Sequence, residues 1–222
     1  MYIKNIRDFN TEKAVQAIKN NEKIIFENPT IILASKSISR KRIMEQAGIS
    51  FVVLPSIVNE EKIKEEFPAI DTEELATKYV KKLAYEKAKA LEDYVENGII
   101  IAADTIAFCD NEKLEKPVDK EDARRILTKI SGSRHLAITG VCIIKDGITD
   151  NFHETSFVEM DRFEEEKIEE LVNNPNTYLY AGGYCIDDNI EGYAKVARAD
   201  YNNVMGLPLE TVVLKIKGIL RR

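Results

Sequence analysis

Apolar residues along this chain repeat at two periods, and the switching between the periods sets the architecture to expect. A continuous apolar run at 31–34 reads as a buried strand, after which "SISRKRIMEQAGISF" turns into helix-like spacing. The clearest helix is "DTEELATKYVKKLAYEKAKALEDYV", where Leu75, Tyr79, Leu83 and Leu91 recur in steps of four or its multiple and Asp71 and Glu74 have capping-box spacing. Ahead of these, "NTEKAVQAIKN" predicts a short helix capped by Asn10 or Thr11, and "NNEKIIFENP" a polar break before the first strand. Downstream come a strand over 98–108, a turn at Asp110 and Asn111, and a helix opened by Asp119 and stopped by Gly132. Two strands, "HLAITGVCII" and "NFHETSFVEM", precede a helix, "FEEEKIEELVNNP", that ends at Pro175. "GYAKVARADYNNVMGLP" reads as strand, turn and loop, and "LETVVLKIKGIL" as a closing helix. The expected fold class is α/β, a mixed central β-sheet with flanking helices. With no linker, repeat or low-complexity tract after Ile31, the organisation expected is an N-terminal extension (1–30) followed by one domain (31–222).

Charge and composition remove several function classes. The chain's 222 residues carry 32 Lys+Arg against 38 Asp+Glu, so a net charge of -6 argues against nucleic acid as a general partner. The most apolar run, "GIIIAADTIAF", is short and holds Asp104, which argues against a membrane span, and the N-terminus has no uninterrupted apolar stretch, so a cytoplasmic location is expected. Cys109, Cys142 and Cys185, odd in number and widely spaced, fit reduced, buried thiols better than disulfides or a zinc site.

Three places break the pattern toward chemistry. Arg40, Lys41 and Arg42 crowd the start of a helix, where free N–H groups and the macrodipole already present positive charge. An anion would resolve the conflict by accepting from those N–H groups, from Ser35, Ser37 and Ser39, and from Arg40, with a phosphate the best fit; the alternative is a solvated basic turn. Lys87 takes the step between Leu83 and Leu91 on the apolar face of the long helix, so its ammonium either reaches a cleft or snorkels to solvent. Asp104 lies inside an apolar strand, where an unpaired charge is costly, and a hairpin at Asp110 and Asn111 would return Lys116 of "EKP" toward it. That pair is either a structural ion pair or a site where Asp104 binds metal or deprotonates water while Lys116 neutralises phosphate. Glu60 and Glu61 add candidate metal ligands, the alternative being ordinary surface acids, and neither His135 nor His153 accompanies a nucleophile motif.

In order, "LASKSISRKRIMEQAGISF", "VNEE", "LAYEKAKA", "AADT", "EKP", "SGSRH" and "NNVMGLP" resemble the motifs of the Maf family of nucleoside triphosphate pyrophosphatases, from about Ile31 to the C-terminus. The resemblance implies an elongated, two-lobed α/β body around a cleft, related to the inosine triphosphate pyrophosphatases. It also implies hydrolysis of a nucleoside triphosphate to its monophosphate and pyrophosphate, dependence on Mg2+ or another divalent metal such as Mn2+, and a homodimer. Carried over residue by residue, Asp104 and Lys116 are catalytic, Glu60 and Asp104 hold the metal, and Ser35, Ser37, Arg40 and Lys87 bind substrate. Ser39, Thr105 and Asp187 match positions associated with base selection in family members acting on dTTP and UTP. Ser39 replaces an arginine, Asn59 an aspartate and Asp187 a glutamine, while Thr105 is retained. Members acting on 7-methylguanosine triphosphate have an acid at the glutamine position. These departures point to a modified or non-standard nucleotide, the alternative being a catalytically weakened nucleotide-binding or regulatory protein on the same scaffold.

Overall fold

A computed structural model describes residues 1–197 and 201–221. Its elements run β1 (Tyr2–Ile3), α1 (Thr11–Lys19), β2 (Ile24–Leu33), α2 (Ile38–Gln46), β3 (Phe51–Val53), α3 (Glu60–Glu65), α4 (Glu73–Glu92), β4 (Val95–Cys109) and β5 (Glu112–Leu114). They continue with α5 (Lys120–Ile130), β6 (Arg134–Lys145), β7 (Ile148–Met160), α6 (Glu165–Asn173), β8 (Ala194–Ala197), α7 (Tyr201–Val204) and α8 (Leu209–Leu220). The strands form one mixed sheet in the order β1-β2-β4-β6-β7-β8, with β3 added to β2 and β5 to β4.

The central strand β4 changes partner partway along. Its first part runs parallel to β2, ending at the pair Leu33↔Ile101, and its last part pairs antiparallel with β5 from Ala107↔Leu114 onward. Between them, among the described residues, no strand pairs with that edge of β4, while β6 follows its other edge from Ile100 to Phe108. Side chains alternate across this strand. Ile100, Ala102, Ile106 and Phe108 pack in the clusters that include Leu83, Ala84 and Ala88 of α4. Ile99, Ile101, Ala103, Ala107 and Cys109 pack in the cluster built with α2, α5, α6 and α8. Helix α4 packs tightly on the sheet at Gly140, which pairs with Asp104; a Cβ there would lie 2.4 Å from the Val80 carbonyl group.

The structure departs from the sequence pattern in three places. The polar break assigned to "NNEKIIFENP" holds the start of β2, because Asn21, at φ 58°, makes the turn and Ile24 already bonds to the Tyr94 carbonyl at 2.7 Å. Glu27 to Pro29, at the end of that expected break, fall in a register shift between Ile25 and Thr30, so the strand bulges and resumes. Residues 1–30 therefore pack on the sheet through β1 and the buried Ala14, Ala17 and Ile18 of α1. The long helix is capped by Thr72 and not by Asp71, since the Thr72 hydroxyl accepts from Leu75 N at 3.3 Å. Part of the loop assigned to "NNVMGLP" is helix α7, and the turn placed ahead of it falls on 198–200, outside the described residues.

Candidate functional site

The gap along β4 opens into a cleft of about 510 Å3, within the size range of small-molecule sites. Because no strand covers this edge, residues from both faces of β4 reach the same space: Asp104 points to the α4 side and Thr105 to the α2 side. Ser35, Ser37, Ser39, Arg40, Glu60, Lys87, Asp104, Thr105 and Lys116 all line it. Of the site residues read from the sequence, Asp187 alone is absent from the lining; it is exposed, and its carboxylate accepts a hydrogen bond from the Tyr201 hydroxyl.

Lys87 is buried rather than snorkelling, and its ammonium joins two acids, Asp104 Oδ1 at 2.6 Å and Glu60 Oε2 at 3.1 Å. Helix phase brings it there from α4, and Asn59 caps α3 so that Glu60 starts that helix beside it. The cation that meets Asp104 is thus Lys87, in place of the Lys116 pair expected from the hairpin. Lys116 instead lines the cleft from the segment after β5. Desolvation and the Arg40 charge pull its amine below the usual lysine range, against the opposing pull of Asp104 and Glu60.

On the other side, the start of α2 divides its crowded cations by direction. Lys41 pairs outward with Glu45 at 3.6 Å, whereas Arg40 is buried beneath the loop. Its Nε donates to the Gly206 carbonyl at 2.7 Å, Nη1 to Ser35 Oγ at 3.2 Å and Nη2 to Thr105 Oγ1 at 2.9 Å. Burial lowers its pKa although Asp104 and Glu60 act to raise it. Ser37 caps α2, accepting from Arg40 N at 3.4 Å, and Ser35 accepts from Ser37 N at 3.1 Å, so both hydroxyls shape the loop as well as facing the cleft.

Sequence reasoning missed the supports of these groups. Glu115, next to Lys116, accepts from the buried Tyr79 hydroxyl at 2.9 Å and pairs with Lys113 at 3.1 Å and, more loosely, with Lys64 of α3 at 3.8 Å. It thereby ties the Lys116 segment to the helix that carries Glu60. Thr139 hydrogen-bonds Thr105 at 2.9 Å from the adjoining strand. Beyond the motifs that carry the family resemblance there was no signal for them, since, apart from the Lys113–Glu115 pair, each contact joins residues far apart in sequence.

His135 is buried between Ser133 Oγ (3.2 Å) and the Tyr184 hydroxyl (2.8 Å), and desolvation pushes its pKa down to about 4. Between that value and the unfolded value of about 6.5, the unfolded chain binds the extra proton, so stability falls as pH drops through this window. A loss of about 2 kcal/mol from pH 7.5 to pH 5 is expected from this group. Urea unfolding of the wild type and His135→Gln at both pH values checks it: the variant should lose that part of the pH dependence. Cys109, Cys142 and Cys185 are buried and unpaired, as expected, and burial pushes the Cys142 thiol up to about 12.

Among the described lining residues, Lys36, Arg40, Lys87 and Lys116 outnumber Glu60 and Asp104, so the cleft favours an anion and also presents two acids to a cation. Comparison with known proteins agrees with that chemistry. A protein of Ruminiclostridium cellulolyticum named dTTP/UTP pyrophosphatase is 36% identical over 181 residues, covering 81% of this chain and 90% of its own length. A protein of Thermosipho africanus with the same name is 37% identical over 82% of this chain and 89% of its own length. One of Acholeplasma laidlawii, again so named, is 34% identical over 84% and 95%. The family profile described as Maf-like protein matches residues 30–219, and the chain belongs to the Maf family.

Proposed function

We propose that this protein hydrolyses a nucleoside triphosphate to the monophosphate and pyrophosphate. The observation that carries the reading is the convergence of Glu60, Lys87 and Asp104 on one side of the cleft with Arg40 on the other, and Lys116 lining the same cleft. The names of the relatives make UTP and dTTP the first substrates to test. Ser39, which lines the cleft where the family has an arginine, justifies keeping modified and non-standard bases beside them.

In this reading Arg40 and Lys116 hold phosphate oxygens and stabilise the charge that gathers on them during in-line attack. Asp104 orients the attacking water and accepts its proton, and Lys87 holds the Asp104 and Glu60 side chains in place. Among the described residues no cluster of three acids, histidines or cysteines forms a complete metal cage. Two carboxylates do meet at Lys87, and that donor set fits Mg2+, which takes one or two protein carboxylates and completes its shell with water and phosphate. Glu60 and Asp104 would hold Mg2+, or Mn2+ in its place; when bound, it neutralises phosphate charge and lowers the pKa of a coordinated water. No helix among the described residues is long and apolar enough to cross a membrane. The unpaired cysteines support a reducing, cytoplasmic setting.

Pyrophosphate release should be measured over UTP, dTTP, CTP, GTP, ITP and 7-methylguanosine triphosphate, with Mg2+ and with EDTA. Metal-dependent release from at least one is expected. Thermal stabilisation by a nucleotide without product would identify a binding protein instead, and the absence of both effects would reject the site.

A further inference from the structure

The segment spelled "NNVMGLP" faces the cleft through Val204, Met205 and Gly206, and Asn203 anchors it from behind. Asn203 is fully buried. Its side-chain amide donates to Ser156 Oγ at 2.8 Å and to the Ala137 and Glu154 carbonyls at 3.3 Å, which pins the segment to β6 and β7. Its own carbonyl accepts from the Thr139 hydroxyl at 3.0 Å. Its Oδ1 has no partner among the described residues, a cost that packing alone would avoid with an apolar side chain.

Both ends of this anchor lead to Arg40. Three residues on, the Gly206 carbonyl accepts a hydrogen bond from Arg40 Nε, and Thr139 continues to Thr105, whose hydroxyl oxygen accepts one from Nη2. The bonds made by the buried guanidinium run to a carbonyl and two hydroxyls, none of them charged. Of its five N–H donors, those bonds use one on each nitrogen, so each terminal nitrogen keeps one N–H for an anion.

We propose that Asn203 is a positioning residue for Arg40: by fixing the 201–207 segment against β6 and β7, it sets the two acceptors that aim the guanidinium at the phosphate side of the cleft. The inference rests on the phosphate-binding role given to Arg40 above. Gly206 fits the same purpose, since it has φ 107° and a Cβ there would stand 3.4 Å from Arg40 Nε and from Thr105 Oγ1.

The test is a double-mutant cycle of Asn203→Ala and Arg40→Met, read as kcat and KM for UTP (or the best substrate of the panel) and as affinity for inorganic tripolyphosphate without metal. Folded Asn203→Ala should raise KM and weaken tripolyphosphate binding by about tenfold, with a smaller change in kcat, and should add less than about twofold in the Arg40→Met background. Thr139→Val, which cuts the link from the Asn203 carbonyl to Thr105 while sparing the amide, should show the same loss of additivity and serves if Asn203→Ala does not fold. Normal KM and tripolyphosphate affinity in folded Asn203→Ala, or in Thr139→Val where that variant stands in, would overturn the inference, as would fully additive losses. If Arg40→Met itself behaves as wild type, the phosphate role of Arg40 falls and takes the inference with it. If Arg40→Met is impaired and Asn203→Ala is not, the inference alone fails.

Discussion

Asp104→Asn should lower turnover by about a thousandfold while the protein stays folded, the size of effect that a positioned acid–base group supplies. The amide keeps the shape of the carboxylate but neither accepts a proton from water nor contributes a negative charge beside a divalent ion. Stability should survive because the Lys87 ammonium, 2.6 Å from Asp104, retains Glu60 at 3.1 Å. Removing one acid therefore does not leave that buried cation without a partner, the situation that makes broken buried pairs so costly. Pyrophosphate release and a thermal melt on the same preparation check both halves. A folded variant with an unchanged rate would remove Asp104 from the chemistry.

Gly140→Ala is the substitution expected to cost the most stability. The added methyl would lie 2.4 Å from the Val80 carbonyl carbon and oxygen and 2.7 Å from Lys81 N, all backbone atoms of α4 that no rotamer change can move. The helix must lift from the sheet, at a cost of about 3 kcal/mol or more, which for a chain of this size lowers Tm by roughly 6–12 °C. Gly140 sits opposite Asp104 in the β4–β6 pairing, and Lys87 lies two turns along α4 from Val80. The lift should thus also separate the Lys87–Asp104 pair, so activity measured well below the melting range should fall as well. Calorimetry with kcat at 20 °C tests this, and a Tm within 2 °C of wild type would contradict the close approach.

What the sequence disclosed about the site was conflict. Asp104 within an apolar strand, Lys87 on an apolar helix face and Arg40 at a helix start each oppose their local setting, and all three proved to line one cleft. Glu60 carried no such conflict, being an acid near other acids, and only the family resemblance singled it out. The pairing of Asp104 was misjudged because a hairpin suggests proximity in sequence, whereas the helix that supplies Lys87 crosses the strand in space. The start of β2 was hidden by its own bulge, which places Asn28 and Pro29 inside a strand. The anchors of Arg40 were invisible for a simpler reason: Gly206 lies 166 positions away, and nothing local in either segment reports the other.

The missing neighbour along β4 makes the Asp104–Thr105 dipeptide a two-sided fitting, with its acid turned to the lysine helix and its hydroxyl to the arginine loop. Parity in this strand is consequently a requirement of the chemistry. A one-residue deletion upstream, absorbed by slipping against β6, would turn each of them to the opposite face, the hydroxyl toward α4 and the carboxylate toward α2, while a two-residue change would preserve their facing. Length changes that slip β4 by an odd number of residues should therefore abolish turnover.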